Sequence, residues 1–124
     1  MPARSLFELE MNKAPLTLSD GSLVALDAKG YMLNACDWSP EVAERMAADD
    51  DVSLTPEHWT ILEIFRDYFE RFEIEPPMRA LVMETRKKLG QEKGTSRFLY
   101  QLFPKGPATQ ACRYAGLPRP VSCI

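Results

Sequence analysis

The chain has 124 residues, the size of one ordinary domain, and its 45% hydrophobic content, 27% charged content and net charge of −3 are typical of a globular protein. No stretch approaches the ~18 uninterrupted apolar residues of a membrane span, and acidic residues interrupt the N-terminus before a signal-peptide core could form. Three cysteines, an odd number, fit poorly with a secreted disulfide framework, so we expect a cytoplasmic protein with reduced or redox-active thiols.

The N-terminal quarter predicts a short β-hairpin. Residues 1–14 show no clear period and are predicted to be a loose extension, followed by a single helical domain over residues 15–115. Two short apolar runs, 16–18 and 23–26, flank a turn that contains Asp-Gly. Asp-Gly between such runs is a hairpin signal.

Start and stop signals predict five helices after the hairpin. Ser-Pro and Thr-Pro open the first two, Pro-Pro follows the second, and a glycine ends the third. The predicted ranges are 40–48, 56–72, 78–89, 94–103 and 107–116. The second helix has one broad apolar face, formed by Trp59, Ile61, Leu62, Phe65, Tyr68, Phe69 and Phe72. The predicted fold is mainly α: an orthogonal bundle of about five helices with a small N-terminal β-hairpin and a flexible C-terminal arm.

Charge is divided unevenly along the chain. Residues 1–75 hold six Lys/Arg and sixteen Asp/Glu, a net of −10, whereas residues 76–124 hold nine Lys/Arg and two Asp/Glu, a net of +7. A basic half favours anionic partners, such as an acidic protein, RNA or a small oxyanion. A dipolar protein whose two halves attract one another is the alternative.

The arm, residues 116–124, carries the most informative cysteine of the chain. Cys123 is the penultimate residue, and Gly116, Pro118 and Pro120 are expected to set the hinge and the stiffness of the mobile arm before it. A tail thiol adds little to packing, so its expected value is chemical. The extended arm reaches at most about 26 Å, enough to enter a narrow channel in a partner.

A second cysteine, Cys112, lies eleven positions before Cys123, near the end of the last predicted helix. A disulfide between them requires Cα atoms within about 7 Å. Arg113 and Arg119 would favour a thiolate or an anionic persulfide, because a nearby positive charge stabilises the charged form. The alternative is that Cys112 is only a small core residue.

Several motifs resemble the DsrC/TusE family over roughly residues 16–124. They are Gly30-Tyr31, Asp37-Trp38-Ser39-Pro40, Leu54-Thr55-Pro56-Glu57-His58-Trp59, Lys88-Leu89-Gly90-Gln91-Glu92-Lys93-Gly94, Tyr100-Gln101-Leu102-Phe103-Pro104-Lys105-Gly106-Pro107-Ala108 and the tail from Gly116 to Ile124. The resemblance implies a small sulfur-carrier protein without a cofactor of its own, in which Cys123 accepts persulfide sulfur.

Cys112 distinguishes the two types of protein within the family. Members with this second cysteine resemble DsrC proper, whose arm enters the siroheme enzyme DsrAB and whose two cysteines form a disulfide or trisulfide handled by a membrane redox complex. TusE-type members lack that cysteine and pass sulfur toward tRNA thiolation. The resemblance therefore favours a DsrAB-type partner in dissimilatory sulfur metabolism, with TusE-like sulfurtransfer as the alternative.

Two features depart from the family pattern. The tail reads Arg119-Pro120-Val121-Ser122-Cys123-Ile124, without the glycine that commonly precedes the reactive cysteine. Cys36 matches no family motif and is interpreted as a bystander.

A nucleic-acid-binding helix-turn-helix is the competing hypothesis from another class. The helix over 78–89 carries Arg79, Arg86, Lys87 and Lys88, but the net acidic chain argues against direct nucleic-acid binding. His58 and the three cysteines lack the close paired spacing of a metal site. His58 is interpreted as structural.

Overall fold

The hairpin predicted from the sequence is present in the computed structural model, which describes residues 13–118 of the protein. Strand β1, Leu16–Thr17, pairs antiparallel with β2, Leu23–Val24, and Leu16 lies opposite Val24. In the connecting turn, the Asp20 carboxylate accepts the Ser22 amide hydrogen at 2.9 Å. This local bond favours the reversal because it satisfies backbone polarity inside the turn.

Five α-helices follow within the described residues, and the mainly α prediction is confirmed. They are α1 (Pro40–Asp49), α2 (Pro56–Phe72), α3 (Met78–Leu89), α4 (Ser96–Leu102) and α5 (Pro107–Tyr114). A short 3₁₀ helix, Ala35–Asp37, precedes α1. Ser39 and Thr55 cap α1 and α2, each accepting an amide hydrogen of the first turn, as the sequence indicates.

Helix ends differ slightly from the predicted ones. Helix α1 continues to Asp49, whereas α5 ends at Tyr114 rather than reaching Gly116. Gly116 has a φ of +75°, which lies outside the helical region and reverses the chain after the last turn.

The core surrounds the last helix. Helix α5 packs against α1, α2 and α4, and α3 packs against α2. The largest fully buried side chains include Tyr114, Phe65, Phe103 and Met46. The predicted apolar face of α2 is wrong at its C-terminal end, because Phe72 is 52% exposed. Residues 70–74 are all exposed, so the last turn of α2 stays outside the core.

His58 ties two helices together. Its Nδ1 accepts the Thr55 amide hydrogen at 3.1 Å, and its Nε2 lies 2.8 Å from the Leu102 carbonyl oxygen. Since Nδ1 is an acceptor, the ring proton belongs on Nε2 and is donated to Leu102. Both ring nitrogens are engaged and the residue is buried, which fits the structural role expected for it.

Candidate functional site

Helix α5 ends in a Schellman motif, and this motif is the root of the arm. The Leu117 amide donates to the Cys112 carbonyl at 2.9 Å, and the Gly116 amide donates to the Arg113 carbonyl at 3.2 Å. Gly116 supplies the left-handed conformation on which this pair of bonds depends. Leu117 is only 7% exposed, so the hydrophobic core includes the second residue of the arm.

Two side chains from distant parts of the chain hold the end of α5. The Trp38 indole N–H donates to the Tyr114 carbonyl at 2.8 Å, and Arg66 Nη1 donates to the Ala115 carbonyl at 2.6 Å. The Arg66 guanidinium also lies 3.9 Å from the centre of the Trp38 ring, a cation–π distance. The indole also meets Gly116 so closely that an added Cβ would lie 2.5 Å from Trp38 Cδ1.

Cys112 lies on α5 one turn before this root. Its side chain is 0% exposed, so the thiol is completely buried. A thiol in this position packs as a small hydrophobic group and is shielded from bulk reagents. Its role as a partner of Cys123 stays a prediction.

A buried carboxylate collects donors from α5 and the loop before it. Asp50 Oδ2 accepts from Arg113 Nη1 at 2.8 Å and from the Tyr114 hydroxyl at 2.6 Å, while Gln110 Nε2 lies 3.4 Å away. Lys105 Nζ lies 3.3 Å from Asp50 Oδ1. Burial acts to raise the pKa of Asp50, but the Tyr114 hydrogen bond and the Arg113 charge outweigh it and hold the pKa below its usual range. Burial and the Asp50 carboxylate together raise the pKa of Tyr114.

This arrangement bears on the predicted role of Arg113. Its side chain is 16% exposed and forms a salt bridge with Asp50, so much of its charge is already balanced. Gly30 lies against the guanidinium, where an added Cβ would be 3.2 Å from Nε. The structure therefore shows Arg113 as a tie between α5 and the end of α1, and its role in stabilising an anionic sulfur stays a prediction.

A cavity of about 320 Å³ opens beside the root of the arm. Its lining combines both charges with apolar surface: Ala35, Arg66, Asp67, Phe69, Glu70, Gly116, Leu117 and Pro118. Another cavity, of about 410 Å³, lies between α2 and α3.

The predicted site residues divide into two groups. Cys112, Arg113, Gly116 and Pro118 are described, and they follow one another along the end of α5 and the root of the arm. Cys123, Arg119 and Pro120 lie outside the described residues, so the predicted pairing of Cys112 with Cys123 stays a prediction. The same holds for the arm's expected mobility and for the extension assigned to residues 1–14, most of which also lies outside the described range.

Cys36 lies apart from this group. It is exposed, in the 3₁₀ helix just before Trp38. An exposed thiol is open to reagents, so any assay of Cys123 needs Cys36 as a control.

Within residues 13–118, no group of three or more His, Cys, Asp or Glu side chains could hold a metal ion. Over that same part of the chain, no helix is both long and apolar enough to cross a membrane.

Sequence reasoning missed Asp50 and Arg66 and named Trp38 only within a motif. Asp50 stands in a run of three aspartates that reads simply as a helix end, and Arg66 looks like a polar position of an amphipathic helix. The one available signal was Trp38 directly before the capping Ser39, because a hydrophobic side chain at that position often packs against the helix that follows and fixes the path of the chain into it.

Residues 19–124 match the family described as DsrC like protein. A curated relative, Sulfurtransferase TusE of Photorhabdus laumondii, is 44% identical over 105 residues, which cover 85% of this chain and 95% of the relative. Other curated relatives, 45% and 43% identical, carry the same name.

Two solved structures share the fold. The NMR structure of Allochromatium vinosum DsrC is 48% identical, with a TM-score of 0.80, and the match covers 92% of this chain and 100% of that one. The oxidized gamma-subunit of the dissimilatory sulfite reductase (DsrC) from Archaeoglobus fulgidus is 38% identical, with a TM-score of 0.80, covering 89% and 99%. With a family match over most of its length and relatives of this similarity, the chain belongs to the DsrC/TusE family of sulfur-carrier proteins.

Proposed function

We propose that this protein is a sulfurtransferase of the TusE type, which receives sulfur on Cys123 and passes it to the next protein of a relay that ends in tRNA thiolation. The observation that carries the proposal is the placement of Cys123 beyond an anchored helix end. Helix α5 stops in a Schellman motif that is tied to Trp38 and Arg66, and the chain then continues through two prolines to the thiol. The curated relatives are named sulfurtransferases, and the resemblance to TusE-type members supplies the relay toward tRNA thiolation.

The transfer steps need no cofactor. The Cys123 thiolate attacks the terminal sulfur of a donor persulfide, a new S–S bond forms at Cys123, and the donor's own S–S bond breaks. The donor leaves as a thiolate with the bonding electron pair. In the second step an acceptor thiolate attacks the outer sulfur of the Cys123 persulfide, and Cys123 is released as a thiolate. The two steps move one sulfur with no net oxidation or reduction.

The dissimilatory reading, which the sequence favoured, becomes the second candidate. It rested on Cys112, whereas the names of the curated relatives support the TusE reading better. The likeness to Allochromatium vinosum DsrC supports the dissimilatory reading as the second candidate. In that reading a sulfite-reductase-type siroheme enzyme takes the arm, and the Cys112 thiolate attacks the inner sulfur of the Cys123 persulfide. Hydrosulfide leaves, a disulfide forms, and an external dithiol or a membrane redox complex returns two electrons to restore both thiols.

The two candidates differ in what Cys112 contributes, which suggests the experiment. The protein is loaded with radiolabelled inorganic polysulfide, freed of excess reagent, and mixed with a tRNA-thiolating enzyme and its tRNA. For the TusE reading, wild type and Cys112→Ser transfer label to tRNA at the same rate, and Cys123→Ala transfers none. No labelled tRNA from the loaded wild type, together with labelled sulfide released by wild type but not by Cys112→Ser, would overturn this reading in favour of the dissimilatory one.

A further inference from the structure

The carbonyls of Tyr114, the last residue of α5, and of Ala115, its C-cap, are held by side chains that come from distant parts of the sequence. We propose that Trp38 and Arg66 form a clamp that positions the arm, fixing the direction in which the chain leaves the domain and so the place where Cys123 is presented. The proposal rests on the proposed function, because it assumes that Cys123 is the residue to be positioned. It concerns positioning, since neither clamp residue is assigned contact with the transferred sulfur.

The hydrogen bonds of the clamp fall where a helix needs partners. The final carbonyls of an α-helix accept no hydrogen bond from the helix backbone, and water commonly donates to them instead. Here Trp38 donates to Tyr114 and Arg66 donates to Ala115, across 76 and 49 residues of sequence. The Arg66 bond, at 2.6 Å, is charge-assisted and therefore among the stronger kinds of hydrogen bond. Two long-range donors on two successive carbonyls leave the end of α5 little freedom to fray.

The indole of Trp38 also restricts the next residue of the chain. It is in contact with Gly116 and within a cation–π distance of the Arg66 guanidinium, so the clamp touches Tyr114, Ala115 and Gly116 in succession. Only a glycine leaves room for this approach. The Schellman bonds then hold the following residue, Leu117, whose side chain is buried. The last described residue, Pro118, therefore starts from a fixed position, and proline restricts its φ to about −65°.

The stretch of chain from Pro118 to Cys123 is short, so the fixed position of Pro118 limits where Cys123 can lie. Cys123 is the fifth residue after Pro118, so its Cα lies within about 18 Å of the Pro118 Cα at ~3.3 to 3.6 Å per residue. On so short a tether, the direction in which the chain leaves the domain determines the effective concentration of the Cys123 thiol at a nearby sulfur atom. Loosening the root therefore changes where Cys123 reacts, while its intrinsic reactivity stays the same.

Geometry is tested first, by distances between two spin labels. One label is placed on Cys123 and the other on α3 through Lys87→Cys, in a Cys36→Ser background that removes the other exposed thiol. Trp38→Phe keeps the ring but removes the donor, and Arg66→Gln removes the charge and the stacking. Arg71→Gln is the matched control, an arginine on the same helix whose guanidinium lies over Phe72 instead.

We expect Trp38→Phe and Arg66→Gln to widen or shift the distance distribution while Arg71→Gln leaves it unchanged. Far-ultraviolet circular dichroism and the melting temperature establish that each variant is folded at the assay temperature. Identical distributions in the parent and both clamp variants would overturn the proposal.

A second experiment compares two reactions of Cys123 in the parent protein and in the Trp38→Phe, Arg66→Gln and Arg71→Gln variants, without spin labels and without Lys87→Cys. Alkylation by iodoacetamide reports the reactivity of the thiol alone. Closure onto Cys112, with diamide added as the two-electron oxidant, reports where the thiol is held. The ratio of closure to alkylation should change by about fivefold in each clamp variant, the factor that corresponds to one lost hydrogen bond, and stay constant in Arg71→Gln. An unchanged ratio in both clamp variants counts against positioning, because a merely structural role would lower stability without altering it. Failure of Cys123 to load sulfur would instead overturn the proposed function. The spin-label distances would still change as predicted, so the two failures are distinguishable.

Discussion

Replacing Gly116 with alanine tests the packing at the root of the arm. The new methyl group would lie 2.5 Å from Trp38 Cδ1, 2.8 Å from Cγ and 3.0 Å from Cβ. These atoms belong to the base of the indole, so the whole ring has to move. Any such movement also strains the Trp38 hydrogen bond to Tyr114, which is 2.8 Å long in the native protein.

The expected cost has two parts. A left-handed conformation costs an L-residue about 1 to 2 kcal/mol relative to glycine. Inserting a methyl group into a packed contact adds about 1 to 3 kcal/mol. The sum, about 2 to 5 kcal/mol, is a large fraction of the ~5 to 15 kcal/mol that stabilises a typical domain. At roughly 4 °C per kcal/mol for a chain of this size, the melting temperature should fall by about 8 to 20 °C.

Urea unfolding followed by circular dichroism measures this cost, and Gly21→Ala is the matched control. Gly21 also has a positive φ, +88°, but an added Cβ there would meet nothing within 4 Å. The control should therefore lose only the backbone part, about 1 to 2 kcal/mol. An equal loss of unfolding free energy in the two variants would show that the contact between residue 116 and Trp38 contributes nothing to the cost.

Other predictions concern the ties that hold α5 and α2. Asp50→Asn leaves Arg113 without its counter-charge and should cost about 2 to 3 kcal/mol by urea unfolding. Because the folded protein lowers the pKa of Asp50, its contribution is complete above the unfolded value of about 3.9 and is lost as pH falls through the folded value. The acid-induced loss of stability should accordingly be smaller in Asp50→Asn than in wild type, and an equal loss would exclude Asp50 as its source. Thr55→Ala removes the acceptor of the His58 amide at the start of α2 and should lower stability by about 1 kcal/mol, whereas no change would mean that water replaces the cap.

The helix boundaries were predictable because their signals are local. Thr55-Pro56 opens α2 where the structure begins it, and Gly90 follows the last residue of α3. Capping hydroxyls, proline at the first helical position and glycine after the last one act within a single turn, so one sequence is enough to read them.

The clamp was not predictable because its contacts are long-range. Nothing in the periodicity of α2 distinguishes Arg66 from an ordinary solvent-facing arginine, and its acceptor, Ala115, lies 49 residues away. Asp50 likewise finds Tyr114 and Arg113 only once α1 and α5 have packed together. Such pairs are set by tertiary packing, which the local pattern does not encode.

The most direct test of sulfur carriage is intact-mass spectrometry with peptide mapping after exposure to inorganic polysulfide. Wild type, Cys112→Ala, Cys123→Ala and Cys36→Ser are compared before and after treatment with a reductant. If Cys123 carries the sulfur, wild type, Cys112→Ala and Cys36→Ser each gain the mass of one sulfur atom on the peptide that contains Cys123, and the reductant removes it. Because the exposed Cys36 thiol is itself open to polysulfide, Cys123→Ala is also examined with Cys36→Ser in the same protein, and this double variant should gain no sulfur. Equal loading of the double variant, or sulfur that maps to Cys36 and not to Cys123 in wild type, would show that Cys123 is not the carrier.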